Sequence, residues 1–163
     1  TSDVTEGQGP VAVSIPIQAS TDSLRAGISI CYELLFPDLN RRFIKDGARL
    51  LLAITNDAWY GRTGAPYQFL AMTELRSAEM GVWTVRAANT GVSAIIDAAG
   101  KVREQLPIFS RGRLVADVPL RDGKAPMTFY VRYGDVFAWG CWGIVGAGFA
   151  VAIWKGRRRE EDA

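Results

Sequence analysis

The sequence predicts a layered α/β domain followed by one membrane-spanning helix. Short apolar runs of strand length alternate with helical segments early in the chain and pair as hairpins later, which is typical of a sheet covered by helices. Near the C-terminus, 19 consecutive residues carry no charge. A helix of that length spans roughly 28 Å, about the thickness of the hydrocarbon core of a bilayer.

The first part of the chain predicts strands separated by a helix. Alternation from Arg25 predicts a strand that ends at Cys31. A helix begins at Pro37 and ends before Gly47, since proline suits the first helical turn and glycine the position after the last. An unbroken apolar run indicates a strand covered on both faces. The predicted strands are residues 11–17, 25–31 and 49–55.

A second helix is predicted over residues 66–80, and Gly81 ends it. We expect its buried face to consist of Phe69, Met72, Leu75 and Met80. Hairpin-type turns then separate short strands. The strands predicted after this helix are residues 82–88 and 92–96, a short strand after the turn at 98–101, and residues 114–118.

The uncharged segment predicts a transmembrane helix over residues 135–155. Its tryptophans lie toward its ends, where indole rings favour the membrane interface, and basic residues follow it at once. By the positive-inside rule, the charged tail over residues 156–163 is cytoplasmic and residues 1–134 lie on the other side of the membrane. The alternative is a buried core helix, against which four glycines and the terminal position argue.

The composition excludes several kinds of protein. The 163 residues contain no histidine, which rules out Ser-His-Asp and Cys-His catalytic sites and histidine-ligated metals within this chain. Two cysteines do not form a disulfide framework. The net charge is only +2, and a nucleic-acid binder usually shows a clear basic excess. We therefore expect no metal, no cofactor and no nucleic-acid partner.

Cys31 is the candidate nucleophile. A side chain between a strand and a helix is exposed at the turn, and the next backbone N–H, that of Tyr32, is free to stabilise an oxyanion. A thiolate is a good nucleophile and leaves well from a thioester. The alternative is a small buried apolar residue. Because histidine is absent, a carboxylate and a lysine or arginine must activate the thiol.

A series of short motifs, in this order, resembles the nitrilase, or carbon–nitrogen hydrolase, superfamily. Within it, the resemblance is to the membrane-bound N-acyltransferases of bacterial lipoprotein maturation, and it covers roughly residues 7–155. The motifs are Gly27 to Glu33, Phe36-Pro37, Gly47-Ala48, Asn56 to Gly61, Pro66-Tyr67-Gln68, Arg76 to Glu79, Arg86 to Gly91, and Tyr130 to Asp135.

The resemblance implies a Glu-Lys-Cys triad on an αββα sandwich, with Cys31 as the nucleophile. In these enzymes the glutamate and lysine precede the cysteine. Here Glu6 is the only glutamate before Cys31, and no lysine precedes Cys31. We therefore expect the chain to be the C-terminal half of the catalytic domain followed by its last transmembrane helix. A second departure is Phe69, where the family commonly has histidine; it affects helix packing or the pocket wall.

The resemblance also suggests roles for other residues. Glu33 would support the site, with a solvated or helix-capping carboxylate as the alternative. Asn56 would cap or brace the loop that follows its strand, or orient the site, and it is a candidate substrate-binding residue together with Trp59 and Tyr60. Trp59 and Tyr60 would line an acyl pocket, with simple aromatic packing as the alternative.

The implied activity moves an acyl chain from a phospholipid donor, through a Cys31 thioester, to the N-terminal amine of an apolipoprotein acceptor. The implied location is the bacterial inner membrane, with the catalytic part on the periplasmic side. Two alternatives stay open: a membrane-tethered amidase of the same superfamily, and a truncated membrane domain without catalysis. We expect residues 1–163 alone to be inactive and, with apolar sheet surface uncovered, prone to aggregate.

Overall fold

A computed structural model describes residues 9–17, 23–123 and 125–161 of the chain. The chain forms two compact units, Thr1–Arg132 and Tyr133–Ala163.

The first unit contains a six-stranded mixed sheet whose strands lie in chain order. The second, third and fourth strands are parallel to one another, and each remaining strand pairs antiparallel with its neighbour. The strands are β1 (Val13–Pro16), β2 (Ser23–Ile30), β3 (Leu50–Asn56), β4 (Trp83–Asn89), β5 (Ser93–Ile96) and β6 (Val102–Leu106). The layered α/β prediction is confirmed.

Two helices cover one face of this sheet. Helix α1 (Pro37–Lys45) connects β2 to β3, and α2 (Ala65–Met80) connects β3 to β4. Right-handed crossovers that step along a sheet in one direction place their helices on the same side. The core beneath them includes Phe43, Ile44, Leu51, Met80 and Val82.

The opposite face of the sheet is open, in the described part of the chain, where β2 and β3 end. Ile30 and Ile54 point to it and are 60% and 50% exposed, whereas Leu50, on the same face at the start of β3, is only 7% exposed. Among the described residues, the prediction that residues 49–55 are covered on both faces therefore holds at the start of the strand and fails at its end. With helices on one face only, the sheet matches one helix-and-sheet layer of an αββα sandwich.

The buried face of α2 differs from the predicted one. Met80 is buried, but Met72 and Leu75 are exposed and Phe69 is half-buried. The buried residues are Pro66, Leu70, Thr73, Arg76, Ser77 and Met80. The apolar pattern misleads here because the polar members have partners: Ser77 bonds to Thr84, and Arg76 pairs with Glu79.

Two further segments differ from the sequence prediction. Residues 114–118 form no strand. A short helix, α3 (Phe129–Tyr133), was not predicted, and Val131 from it is fully buried in the core.

The second unit contains one long helix, α4 (Val136–Glu161). Its apolar segment, Val136–Trp154, has 19 residues with a mean hydropathy of 1.9, long and apolar enough to cross a membrane, and none of it is buried. The helix continues past residue 155, where the sequence predicted a charged tail, because the arginines and glutamates that follow are good helix formers and outweigh Gly156.

Candidate active site

The predicted site residues meet at one edge of the sheet. Because β2, β3 and β4 are parallel, their carboxyl ends lie side by side, which is where open α/β sheets bind ligands. Cys31 follows β2, Asn56 ends β3, and Asn89 ends β4.

Cys31 lies outside the strand that was predicted to contain it. Strand β2 ends at Ile30, and Cys31 opens a 3-10 turn that runs to Leu35. Its φ angle of 54° is left-handed, a conformation that costs energy for a residue with a Cβ and is concentrated at functional sites. The thiol is free and half-buried.

Glu33 fixes this turn. Its carboxylate accepts the backbone N–H of Ile30 at 2.7 Å, which closes the turn around Cys31. The Glu33 carboxylate is thus placed as a capping group, which was the alternative to a supporting role. Through the same contact it holds the backbone of Ile30, the residue before Cys31.

Three aromatic rings gather beside Cys31. The Tyr32 and Tyr60 hydroxyls share a short hydrogen bond. Phe69 meets Tyr32 edge-on with the ring centroids 5.5 Å apart and lies 5.4 Å from Tyr60. Phe69 therefore packs against both tyrosines beside Cys31.

The pKa of Tyr60 is raised to about 12. The largest cause is the hydrogen bond with Tyr32, followed by burial and by the negative charges of Tyr32, Cys31 and Asp57. The Tyr60 phenol is thus neutral at physiological pH.

The loop after β3 is braced at its base and exposed at its tip. Asn56 accepts the Ala58 N–H at 3.2 Å and the Asn89 side-chain amide at 3.1 Å, joining the ends of β3 and β4. Trp59 is 85% exposed. The structure thus brings Tyr60 to Tyr32 and leaves Trp59 pointing outward.

A hollow of about 170 Å³, lined by Leu35, Gln68, Phe69 and Met72, opens next to the aromatic cluster.

A buried ion pair that was not predicted from the sequence lies at this edge. Arg86 donates to the Asp57 carboxylate at 2.8 Å, and each side chain is 1% exposed. Burial lowers the pKa of Arg86, whereas the charges of Asp57 and then Cys31 favour its protonated form. The available signal was a charged residue in the middle of an otherwise uncharged predicted strand, residues 82–88.

The ion pair is fully hydrogen-bonded and tightly enclosed. Thr55 donates to the second carboxylate oxygen at 2.9 Å, and the guanidinium also reaches the Val92 carbonyl at 3.1 Å. A Cβ on Gly91 would lie 2.0 Å from an oxygen of Asp57, so only glycine fits at that position. Among the described residues, no group of three or more Cys, Asp or Glu side chains is placed to hold a metal.

The carbon-nitrogen hydrolase family model matches residues 5–125, so the chain belongs to the carbon–nitrogen hydrolase family. An apolipoprotein N-acyltransferase of Geobacter metallireducens is 48% identical over 129 residues, covering 79% of this chain and 24% of that protein. One from Azotobacter vinelandii is 35% identical over 133 residues, covering 82% of this chain and 24% of that protein. The chain thus spans about a quarter of the length of these curated relatives.

A solved structure supports the fold. An amidase from Nesterenkonia sp. AN1 superposes with a TM-score of 0.57 at 22% identity, over 85% of this chain and 51% of the amidase chain. The resemblance to the nitrilase superfamily and the predicted fold class are confirmed by these matches.

Proposed function

We propose that this chain carries the nucleophile of an N-acyltransferase that moves an acyl chain from a phospholipid to the N-terminal amine of an apolipoprotein. The observation that carries the proposal is Cys31, held in a left-handed turn at the sheet edge of a chain 48% identical to an apolipoprotein N-acyltransferase. Cys31 shares a left-handed φ with Thr90 and Phe109 among the described residues, and its place between β2 and α1 matches the need for an exposed, fixed nucleophile.

The chemistry has two steps. The Cys31 thiolate attacks the acyl ester carbonyl, a C–S bond forms, and the ester C–O bond breaks as the released lysophospholipid oxygen takes a proton. The acceptor amine then attacks the thioester, a C–N bond forms, and the C–S bond breaks as the amine gives up a proton. The Tyr32 N–H would stabilise the oxyanion in both steps. The glutamate that moves protons and the oxyanion lysine would come from outside residues 1–163.

The apolar surroundings of Cys31 fit an acyl substrate. The hollow beside Phe69 and the exposed ring of Trp59 offer apolar surface at the same edge as the thiol. In this proposal, Tyr60 and Trp59 contact the acyl chain, Asn56 keeps their loop in place, and Glu33 keeps the Cys31 turn closed.

The second unit would anchor the enzyme where its substrates are. We propose that residues 135–155 span the bacterial inner membrane, that residues 1–134 are part of the catalytic domain and lie on the periplasmic side, and that residues 156–163 are cytoplasmic. The length and hydropathy of α4 and the basic residues after Trp154 support this orientation. A reporter fused after Ala163 that is active only in the cytoplasm would test it.

The decisive experiment uses membranes that contain the protein from its complete reading frame. They are incubated with vesicles of phospholipid carrying a labelled acyl chain and with a diacylglyceryl-cysteine peptide. We expect the peptide to gain one acyl group as an amide, and a hydroxylamine-sensitive acyl label to appear on Cys31. Cys31→Ala should abolish both signals, and the matched variant Cys141→Ala should change neither.

Other outcomes identify the alternatives. Acyl label on Cys31 that is released to water, with no amide formed, would indicate a membrane-tethered amidase or other hydrolase. No label on Cys31 in the complete protein would indicate a domain without catalysis and would overturn the proposal.

A further inference from the structure

The Asp57–Arg86 ion pair needs a reason beyond stability. Both side chains are 1% exposed. Removing two charges from water is costly, and apolar replacements of such a pair are often neutral or stabilising. A buried pair at the edge that carries a nucleophile is therefore a candidate for a functional role.

Asp57 anchors the turn that carries Tyr60. Its backbone N–H donates to the Asn89 carbonyl at 3.1 Å, and its own carbonyl accepts the Tyr60 N–H at 3.1 Å. The turn Ala58–Tyr60 therefore begins at a residue whose carboxylate is fixed by Arg86. Since the Tyr60 hydroxyl meets that of Tyr32, the residue after Cys31, a displaced Asp57 would also move the wall of the site.

Arg86 ties this edge to the covering helix. Its guanidinium contacts Thr73 of α2 at 3.3 Å and the Val92 carbonyl at 3.1 Å, in addition to Asp57. Lysine has neither the planar fork nor the donors to make these contacts together. The position of the charge is thus fixed by β4, by α2 and by the turn after β4.

The pair also lies within electrostatic reach of Cys31. Burial lowers the pKa of Arg86, and the charges of Asp57 and then of Cys31 oppose that shift.

We propose that Asp57 and Arg86 are positioning residues for acyl transfer at Cys31: the pair fixes the Ala58–Tyr60 turn against the Cys31 turn. The inference rests on the proposed function only in taking Cys31 as the nucleophile.

The test measures alkylation of Cys31 by iodoacetamide, a neutral reagent, between pH 6 and 9. It uses the complete protein in detergent, and mass spectrometry follows the Cys31 peptide. We expect Arg86→Met and Asp57→Asn to change the rate of alkylation at pH 7 in the same direction, because each releases the Ala58–Tyr60 turn from the wall beside the thiol. Both variants should lower kcat for acyl transfer.

Two further variants keep the test decisive. Arg86→Lys retains the charge but lacks the planar fork, so it should reproduce the change in alkylation and the fall in kcat seen in Arg86→Met, with KM little changed. The double variant Arg76→Met/Glu79→Leu removes a buried ion pair of α2 that is not part of the site. It should leave the alkylation profile unchanged, even where it lowers the unfolding temperature.

The outcomes separate this inference from the proposed function. Wild-type alkylation and kcat in Arg86→Met and Asp57→Asn, or equal changes in Arg76→Met/Glu79→Leu, would show a merely structural pair and overturn the inference. Changed alkylation in a protein without transferase activity would support the inference while the proposed function fails. Acyl transfer with unchanged alkylation and kcat in the two variants would leave the function standing and the inference overturned.

Discussion

The two faces of the sheet are built from the same strands but differ in how they are completed. On the covered face, Leu51 is fully buried, and the buried polar residue Ser29 bonds to Asn40 of α1 at 2.7 Å. On the open face, Ile54, only three residues along β3 from Leu51, is half exposed. Helices α1 and α2 cover one face of the sheet, and no described element covers the other face at the end of β3. The strands can therefore pair into a sheet without both of their faces being buried.

Strand connectivity explains the difference. Both crossovers step from β2 to β3 to β4 in the same direction, so both helices lie on one side. A parallel strand such as β3, with apolar residues pointing both ways, belongs in a sheet covered on both faces. The open face is therefore the side on which a second layer is expected.

The largest effect is expected at the centre of the covered face. Leu51→Ala truncates a fully buried side chain in the core between the sheet and α1. It leaves a cavity that the neighbouring side chains fill only partly. We expect the free energy of unfolding to fall by about 4 kcal/mol, measured by urea titration of the protein in detergent. The matched truncation Val115→Ala, at an 85% exposed position, should change it by less than about 0.5 kcal/mol. Equal effects of the two variants would refute the proposed core.

Gly27 tests how closely α1 approaches the sheet. A Cβ at Gly27 would lie 2.7 Å from the Phe43 Cβ and 2.9 Å from a Leu51 methyl carbon. Gly27→Ala should therefore destabilise the protein by up to about 3 kcal/mol through overpacking. Gly64→Ala is the control, since nothing lies within 4 Å of an added Cβ there. A neutral Gly27→Ala in thermal unfolding would mean that α1 sits farther from β2 than the structure shows.

A smaller, pH-dependent effect is expected at the β5–β6 turn, beneath α2. Asp97 accepts the N–H groups of Lys101 and Ala99, each at 2.9 Å. These bonds and Arg103, outweighing burial, lower the pKa of Asp97. A lowered folded-state pKa gives stability that is complete above the unfolded value of about 3.9 and is lost as the pH falls through the folded-state value.

Asp97→Asn should therefore lower stability at pH 7 by about 1–2 kcal/mol, and the difference from wild type should shrink as the pH falls below about 4. Thermal unfolding at pH 7 and pH 3 measures it. Asp117→Asn, at an exposed position, is the control and should show no such pH dependence. A deficit that stays constant from pH 7 to pH 3 would mean that the charge of Asp97 is unimportant.

Sequence reasoning succeeded where apolar pattern and turn residues agree. Pro37 and Gly47 bounded α1 to within two residues, and the position of Cys31 after a strand indicated its turn. It failed where long-range polar partners decide burial. Thr73 and Arg86 are buried polar residues that contact each other across 13 positions of sequence, and no local pattern encodes that contact. The strand expected over residues 114–118 failed for a related reason, since a strand requires a neighbour to pair with.

The smallest effect on stability, and the sharpest test of the comparison, is expected at Ile54. In residues 1–163 expressed alone, Ile54→Lys should change the free energy of unfolding by less than about 1 kcal/mol, because the side chain is half exposed. It should still slow aggregation on dilution from urea, measured by light scattering, because it interrupts an uncovered apolar face. Val115→Lys, exposed but off the sheet, should not slow it. In the complete protein, a second layer over this face would reverse the result, and Ile54→Lys would then be strongly destabilising because it buries an unpaired charge. An equally mild effect in both contexts would mean that nothing covers the face, and the sandwich arrangement would have to be abandoned for this protein.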